Sequence, residues 1–288
     1  MSVFDSRRCE LGEGALWHPL RAELFWFDIL AGRLLSRDAT GAETIRDLGE
    51  MASAAGWVDH DRLLIASETT LSLLHLGTGA RETVAPLIPA GSGLRSNDGR
   101  ADPWGGFWIG LMGKRAETGA GAILRYHRGE LRRLREGVSI PNAICFDAPR
   151  RLAYFADTRA GIVWRQKLDA ETGWPDGQAE IFLDLDAEGL HPDGAVIDAE
   201  GRMWNAQWGA ARVACYDPGG RFLGAERFPA SQLTCPAFGG PDFDRLHVTS
   251  AQEGMNETQR ASEPEAGMTF ARTLAAARGL PEPAVIPG

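Results

Sequence analysis

What most limits the fold of this chain is a phrase of residues that returns about every 45 positions. The phrase is a small or polar residue at a turn, an apolar strand ending in Asp, a turn, and a second strand rich in aromatics. Glu13 opens the first copy, in Leu11-Gly12-Glu13-Gly14-Ala15-Leu16-Trp17, and Ser53 or Ala54 opens the second. Asn97 opens the third, Asn142 the fourth (Pro141-Asn142-Ala143-Ile144-Cys145-Phe146-Asp147), Asp193 the fifth and about Ala237 the sixth. A period of roughly 40 to 50 residues with several short strands per unit is the signature of a propeller blade. Gly and Pro interrupt the chain about every 10 residues, as short antiparallel strands require, and long helical periodicity is missing. The expected fold is therefore all-β, a six-bladed β-propeller of four-stranded antiparallel blades, with residues 1–288 as one domain because no linker divides them. An open ring leaves a strand edge unpaired, so residues around Val3 to Cys9 are expected to pair with the last blade and close it. Ala284-Val285-Ile286 is assigned to that blade, and the polar stretch Asn256 to Glu265 is expected to form a mobile loop on it.

Composition narrows the function. The formal net charge is -9 and no basic stretch is interleaved with aromatics, so a phosphate backbone has nothing to hold and nucleic acid is excluded as a partner. Cys9, Cys145, Cys215 and Cys235 are widely spaced with no Cys-x-x-Cys pair, which argues against a disulfide framework and a thiolate zinc site, so they read as buried reduced thiols. No run of about 18 apolar residues occurs and the N-terminus has no apolar core of a signal peptide. A cytoplasmic protein without membrane contact, monomeric or weakly self-associating, is expected.

Glu13, Asn142 and Asp193 stand at one phase of the repeat, and equivalent positions in a closed ring point toward a common axis. Two carboxylates and one amide oxygen make a hard donor set suited to Ca²⁺, Mn²⁺ or Mg²⁺ and tolerable for Zn²⁺, with water completing the shell. Any one of these residues alone would be an ordinary turn residue. Asn97 lies at the same phase, and Arg95, two residues earlier, faces the same way by strand alternation, to bind a substrate oxygen or to cap a loop.

The ordered set Leu11-Gly12-Glu13-Gly14, Arg95-Ser96-Asn97-Asp98-Gly99 with Asp102-Pro103 and Gly110-Leu111-Met112, Pro141-Asn142, and Pro192-Asp193-Gly194 with Asp198-Ala199-Glu200-Gly201 resembles the gluconolactonase/regucalcin/senescence-marker-protein group of six-bladed propellers. The resemblance spans nearly the whole chain. It implies one divalent ion, Ca²⁺ or Zn²⁺ first and Mn²⁺ or Mg²⁺ as alternatives, held by Glu13, Asn142 and Asp193, with Asn97 near the metal and contacting substrate together with Arg95. Members typically hydrolyse sugar lactones, so the implied partner is a small sugar lactone. Two departures stand out: Pro141-Asn142-Ala143 replaces a Ser-Asn-Gly pattern, and Lys114 and Arg115 stand where animal members tend to carry acidic residues. As cations at the mouth, Lys114 and Arg115 select an acidic sugar lactone, or else belong to a solvated lid loop. In the implied reaction the ion polarises the lactone carbonyl, and Asp193 takes a proton from the attacking water.

Serine hydrolase chemistry finds no Gly-x-Ser-x-Gly element, and the histidines read as structural apart from His191, beside Pro192-Asp193, which is placed to orient a metal ligand. Two other functions stay open: a phosphotriester or aryl ester hydrolase, whose substrate the same ion would polarise, and a non-catalytic calcium-binding regulatory protein.

Overall fold

Strands four to nine residues long, separated by turns, cannot bury their apolar faces alone, and in this protein each repeat does so against its neighbours. The computed structural model describes residues 1–288 as six four-stranded antiparallel sheets. The inner strands are Gly12–His18, Ala52–Asp59, Leu94–Ala101, Pro141–Asp147, His191–Ile197 and Leu233–Gly239. Each packs against the inner strand of the next blade, and the sixth packs against the first. The core is accordingly six separate apolar clusters, one in each seam between adjacent blades. Second strands have a neighbouring blade on each face, and Glu23–Asp28 is buried at every position, whereas the fourth strand Glu43–Asp47 is mostly exposed.

The recurrent Asp residues are turn and entry locks. Asp102 Oδ1 accepts from the Trp104 and Gly106 N–H groups at 2.9 and 3.0 Å, and Asp198 Oδ1 does the same for Glu200 and Arg202. Asp28 accepts from Glu10 and Leu11 N–H, and Asp157 from Ser139 and Ile140 N–H, so each holds the approach to its own blade's inner strand.

The ring closes where the sequence led us to expect. Ser2–Asp5 pairs with Thr269–Thr273 as the outer strand of blade 6, and Cys9 N–H adds a bond to the Gly267 carbonyl at 2.9 Å. Three details differ from expectation. The stretch after Asn256 contains a short helix, Glu257–Ser262, because Asn256 and Gln259 form a reciprocal capping box, with Arg260 bound to Glu10 at 2.7 Å. Ala284-Val285-Ile286 lies outside blade 6: Val285 and Ile286 donate backbone bonds to the Trp57 and Gly105 carbonyls, beside the inner hairpins of blades 2 and 3. In blade 6 the residue at the break in register is Thr234, not Ala237, because the inner strand begins at Leu233. All four cysteines are buried free thiols, and no helix is long and apolar enough to cross a membrane.

Candidate active site at the propeller mouth

Every inner strand has a break in its register near the mouth: between Glu13 and Leu16, Ala52 and Ala54, Ser96 and Gly99, Asn142 and Cys145, Pro192 and Ala195, and Leu233 and Pro236. A bulge leaves a residue unpaired and re-aims its neighbours. At or beside these breaks stand Glu13, Ser53, Asn97 with Asp98, Asn142, Asp193 and Thr234. Ser53 and Thr234 spend their hydroxyls on blade seams, with Ser53 Oγ donating to the Asn97 carbonyl and Thr234 Oγ1 to that of Gly12, both at 2.5 Å.

Glu13, Asn97, Asn142 and Asp193 meet, together with Arg95, in a cavity of about 600 Å³ that these five buried residues line, with Lys114 and Arg115 toward its rim. The seven candidate metal- and substrate-binding residues therefore border one space. Lys114 is ion-paired with Glu68 and Arg115 with Glu117 at 3.0 Å, so both rim cations already have carboxylate partners. His191 is exposed on the same wall. Leu11, Met112, Ile140 and Trp208 supply apolar lining, and Thr158, Arg159 and Glu253 were not singled out. Lys114, Arg159 and Glu253 follow the second strands of their blades, so counting from the repeat would have found the latter two.

A chain of hydrogen bonds fixes the amide orientations. Thr158 Oγ1 donates to the Pro192 carbonyl at 2.7 Å, which leaves that oxygen only an acceptor role toward Asn142. Asn142 must therefore present Nδ2 to Thr158, at 2.8 Å, and its Oδ1 faces Asn97 Nδ2 at 3.0 Å. Asn97 in turn accepts from Arg95 Nη1 through Oδ1 at 2.7 Å. Blades 3, 4 and 5 are thus connected by one polar relay.

The electrostatics favour a cation. Burial, then the Asp98 charge, pushes Glu13 from the usual 4.5 up to about 8, although the Gly14 N–H and Arg95 oppose the rise. Asp193 is raised well above the usual range by burial, then by Glu13 and by Asp98. Asp98 lies behind them, accepting from Ile144 N–H at 2.7 Å, and is itself raised by burial despite the Arg100 charge. Arg100 is ion-paired with Glu282 and is also the charge that opposes the rise at Asp98, while Glu253, Glu13 and Asp193 share the buried cation Arg95. That is an excess of two negative charges when all three ionise. No group of three or more His, Cys, Asp or Glu residues is arranged around a common point, and the mouth set reaches three donors only by drawing on the Asn142 amide.

The sequence profile described as the SMP-30/Gluconolactonase/LRE-like region matches residues 11–252. A crystal structure of a calcium-binding protein, regucalcin, from Agrobacterium tumefaciens superimposes with a TM-score of 0.96 at 40% identity, covering 99% of this chain and 96% of that one. A Rhizobium meliloti protein named provisionally as a sugar lactone lactonase is 39% identical over 91% of this chain and 89% of its own length. The pentonolactonase XacC of Haloferax volcanii is 34% identical over 95% and 94%. With the profile covering all six inner strands and the fold shared nearly end to end, this chain belongs to the SMP-30/gluconolactonase/LRE-like family.

Proposed function

We propose that this protein hydrolyses a sugar lactone to the open-chain acid, with one divalent cation held by Glu13, Asn142 and Asp193. The observation that carries the reading is the pair of neighbouring carboxyls at the mouth, each raised first by burial, joined by an amide oxygen whose direction is fixed by Thr158. The names of the relatives, a pentonolactonase among them, support the reaction type, and the regucalcin neighbour's calcium binding supports the cofactor. When bound, the cation supplies Lewis acidity to the lactone carbonyl and to the charge that develops on its oxygen.

The chain's own residues do the rest. Asp193 takes a proton from the water whose oxygen attacks the carbonyl carbon. As the ring C–O bond breaks, that proton returns to the leaving alkoxide, so the step is balanced without a further reactant. Arg95 and Asn97 orient the substrate oxygens, while Lys114 and Arg115 border its outer end. Leu11, Met112 and Trp208 limit bulk water and strengthen the polar contacts. The test is turnover of aldono- and aldaric lactones by chelated protein reloaded with single metals. Asp193→Ala and Glu13→Gln are expected to lower kcat by at least about 100-fold with the ring still folded. Full activity in either variant overturns the assignment. Preferential turnover of phosphotriesters or aryl esters would redirect it, and Ca²⁺ binding without turnover would favour a regulatory role.

A further inference from the structure

Four basic side chains border the mouth: Arg95, Lys114, Arg115 and Arg159. Two of them are held by carboxylates, and Arg95 belongs to the inner site already described. Arg95 is buried and donates to the Asn97 amide and the Ser96 carbonyl, at 2.7 and 2.9 Å. Lys114 is held by Glu68 and Arg115 by Glu117. Arg159 differs: its Nη2 donates to the Ala116 carbonyl at 2.9 Å, it pairs with no carboxylate, and its remaining N–H groups have no acceptor in the protein. That one bond also ties the loop after blade 4's second strand to the loop carrying Lys114 and Arg115, so the guanidinium is tethered at the rim.

We propose that Arg159 is a specificity-determining residue that makes lactones carrying a second, remote carboxylate the preferred substrates. This rests on the lactonase reading above and names its substrate class: monolactones of aldaric acids over neutral aldonolactones. With the ring carbonyl over Glu13, Asn142 and Asp193, the far end of a sugar chain extends toward the rim. A guanidinium with free donors takes a carboxylate there through two parallel N–H···O bonds. An anionic substrate also needs such a counter-charge in a protein of net charge -9.

The experiment compares kcat/KM for an aldaric monolactone and for the neutral aldonolactone of the same ring size and carbon number. The wild type is expected to favour the acidic lactone, and Arg159→Ala to lower the acidic-to-neutral ratio by about 10-fold, the low end for a charge-assisted contact because the site is exposed. Arg159→Lys is expected to keep part of the ratio, since the charge remains while the paired geometry is lost. Raising the salt to about 1 M should lower the wild-type ratio but leave that of Arg159→Ala nearly flat. Calorimetric binding of the open-chain aldarate to metal-free protein gives a readout independent of turnover and should weaken in Arg159→Ala. Arg133→Ala, a surface arginine on an outer strand paired with Glu136, serves as the charge control. Turnover of both lactones with a ratio that Arg159→Ala leaves in place, or that Arg133→Ala moves equally, overturns the role of Arg159 and leaves the lactonase reading standing. Turnover of neither lactone removes that reading, and this inference with it.

Discussion

Gly14 follows Glu13 with φ +61°, and a β-carbon there would stand 2.2 Å from the Ser53 carbonyl oxygen. Ala143 follows Asn142 with φ +54° and has a buried methyl. The two positions serve the same turn with opposite tolerances. Gly14→Ala combines the left-handed penalty, about 1–2 kcal/mol, with a backbone clash, and is expected to cost at least about 2 kcal/mol in denaturant unfolding. Ala143→Gly relieves the same penalty but loses a buried methyl, about 0.8 kcal/mol, and adds chain entropy of about 0.5–1 kcal/mol, so it should change stability by less than about 1 kcal/mol. Glu13 itself gives a pH prediction. Its folded value of about 8 exceeds the ordinary 4.5, so the folded state binds the extra proton and metal-free stability falls as pH rises between those values. The melting temperature of chelated protein should therefore drop across that window. Glu13→Gln should lessen the slope, leaving the part of the same sign that Asp193 and Asp98 contribute, and saturating Ca²⁺ should raise the curve and remove most of it, with proton release on binding. A flat profile in the chelated wild type would show that Glu13 is not desolvated as the geometry requires.

At the scale of single strands, what the sequence conveyed was phase. Glu13, Asn97, Asn142 and Asp193 could be aligned by counting, because the repeat length varies mainly in outer loops and seldom between the turn and its Asp. The bulges were not legible: a break in register is a pairing property, and Gly14 and Ala143 disclose it only through their positive φ. Thr158 escaped for a related reason. It belongs to blade 4 but matters through the Pro192 carbonyl of blade 5, a contact that exists only once blades are packed. Thr158→Val keeps the shape and removes both bonds, freeing the Asn142 amide to turn its nitrogen toward the cavity. Metal affinity is expected to fall roughly 10- to 100-fold, as for other outer partners of metal ligands, with unfolding little changed. Thr158→Ser should restore most of it. Equal metal affinity in Thr158→Val and wild type, read by competition with a chelator, would mean the relay does not orient the amide.

The ring as a whole was legible because six similar units with no linker have few ways to bury both faces of their second strands, and closure by the N-terminal strand follows from the unpaired edge it removes. The far end of the axis was not legible, since nothing in the local pattern distinguishes Arg100 or Glu282 from surface charges. Yet Arg100 is buried, donating to the Ile144, Ala195 and Pro236 carbonyls at 3.0, 3.1 and 3.5 Å, so one side chain of blade 3 reaches the inner strands of blades 4, 5 and 6. Its ion pair with Glu282, together with the Trp57 Nε1–H bond to the Glu282 carbonyl at 2.7 Å, anchors the final segment across that end. Removing one member of a buried pair strands the other, at a typical cost of about 3–5 kcal/mol. Asp98 lies within reach of the Arg100 charge and offsets part of that, so Glu282→Gln is expected near the lower figure, a fall in melting temperature of about 6 °C for a chain of this size. Replacing both partners, Arg100→Met with Glu282→Leu, should recover part of the loss if the cost is the uncompensated charge, because an apolar pair leaves none. If the double variant is instead less stable than Glu282→Gln, the three carbonyl bonds from Arg100 outweigh its ion pair, and the inner ends of blades 4 to 6 are held by those bonds.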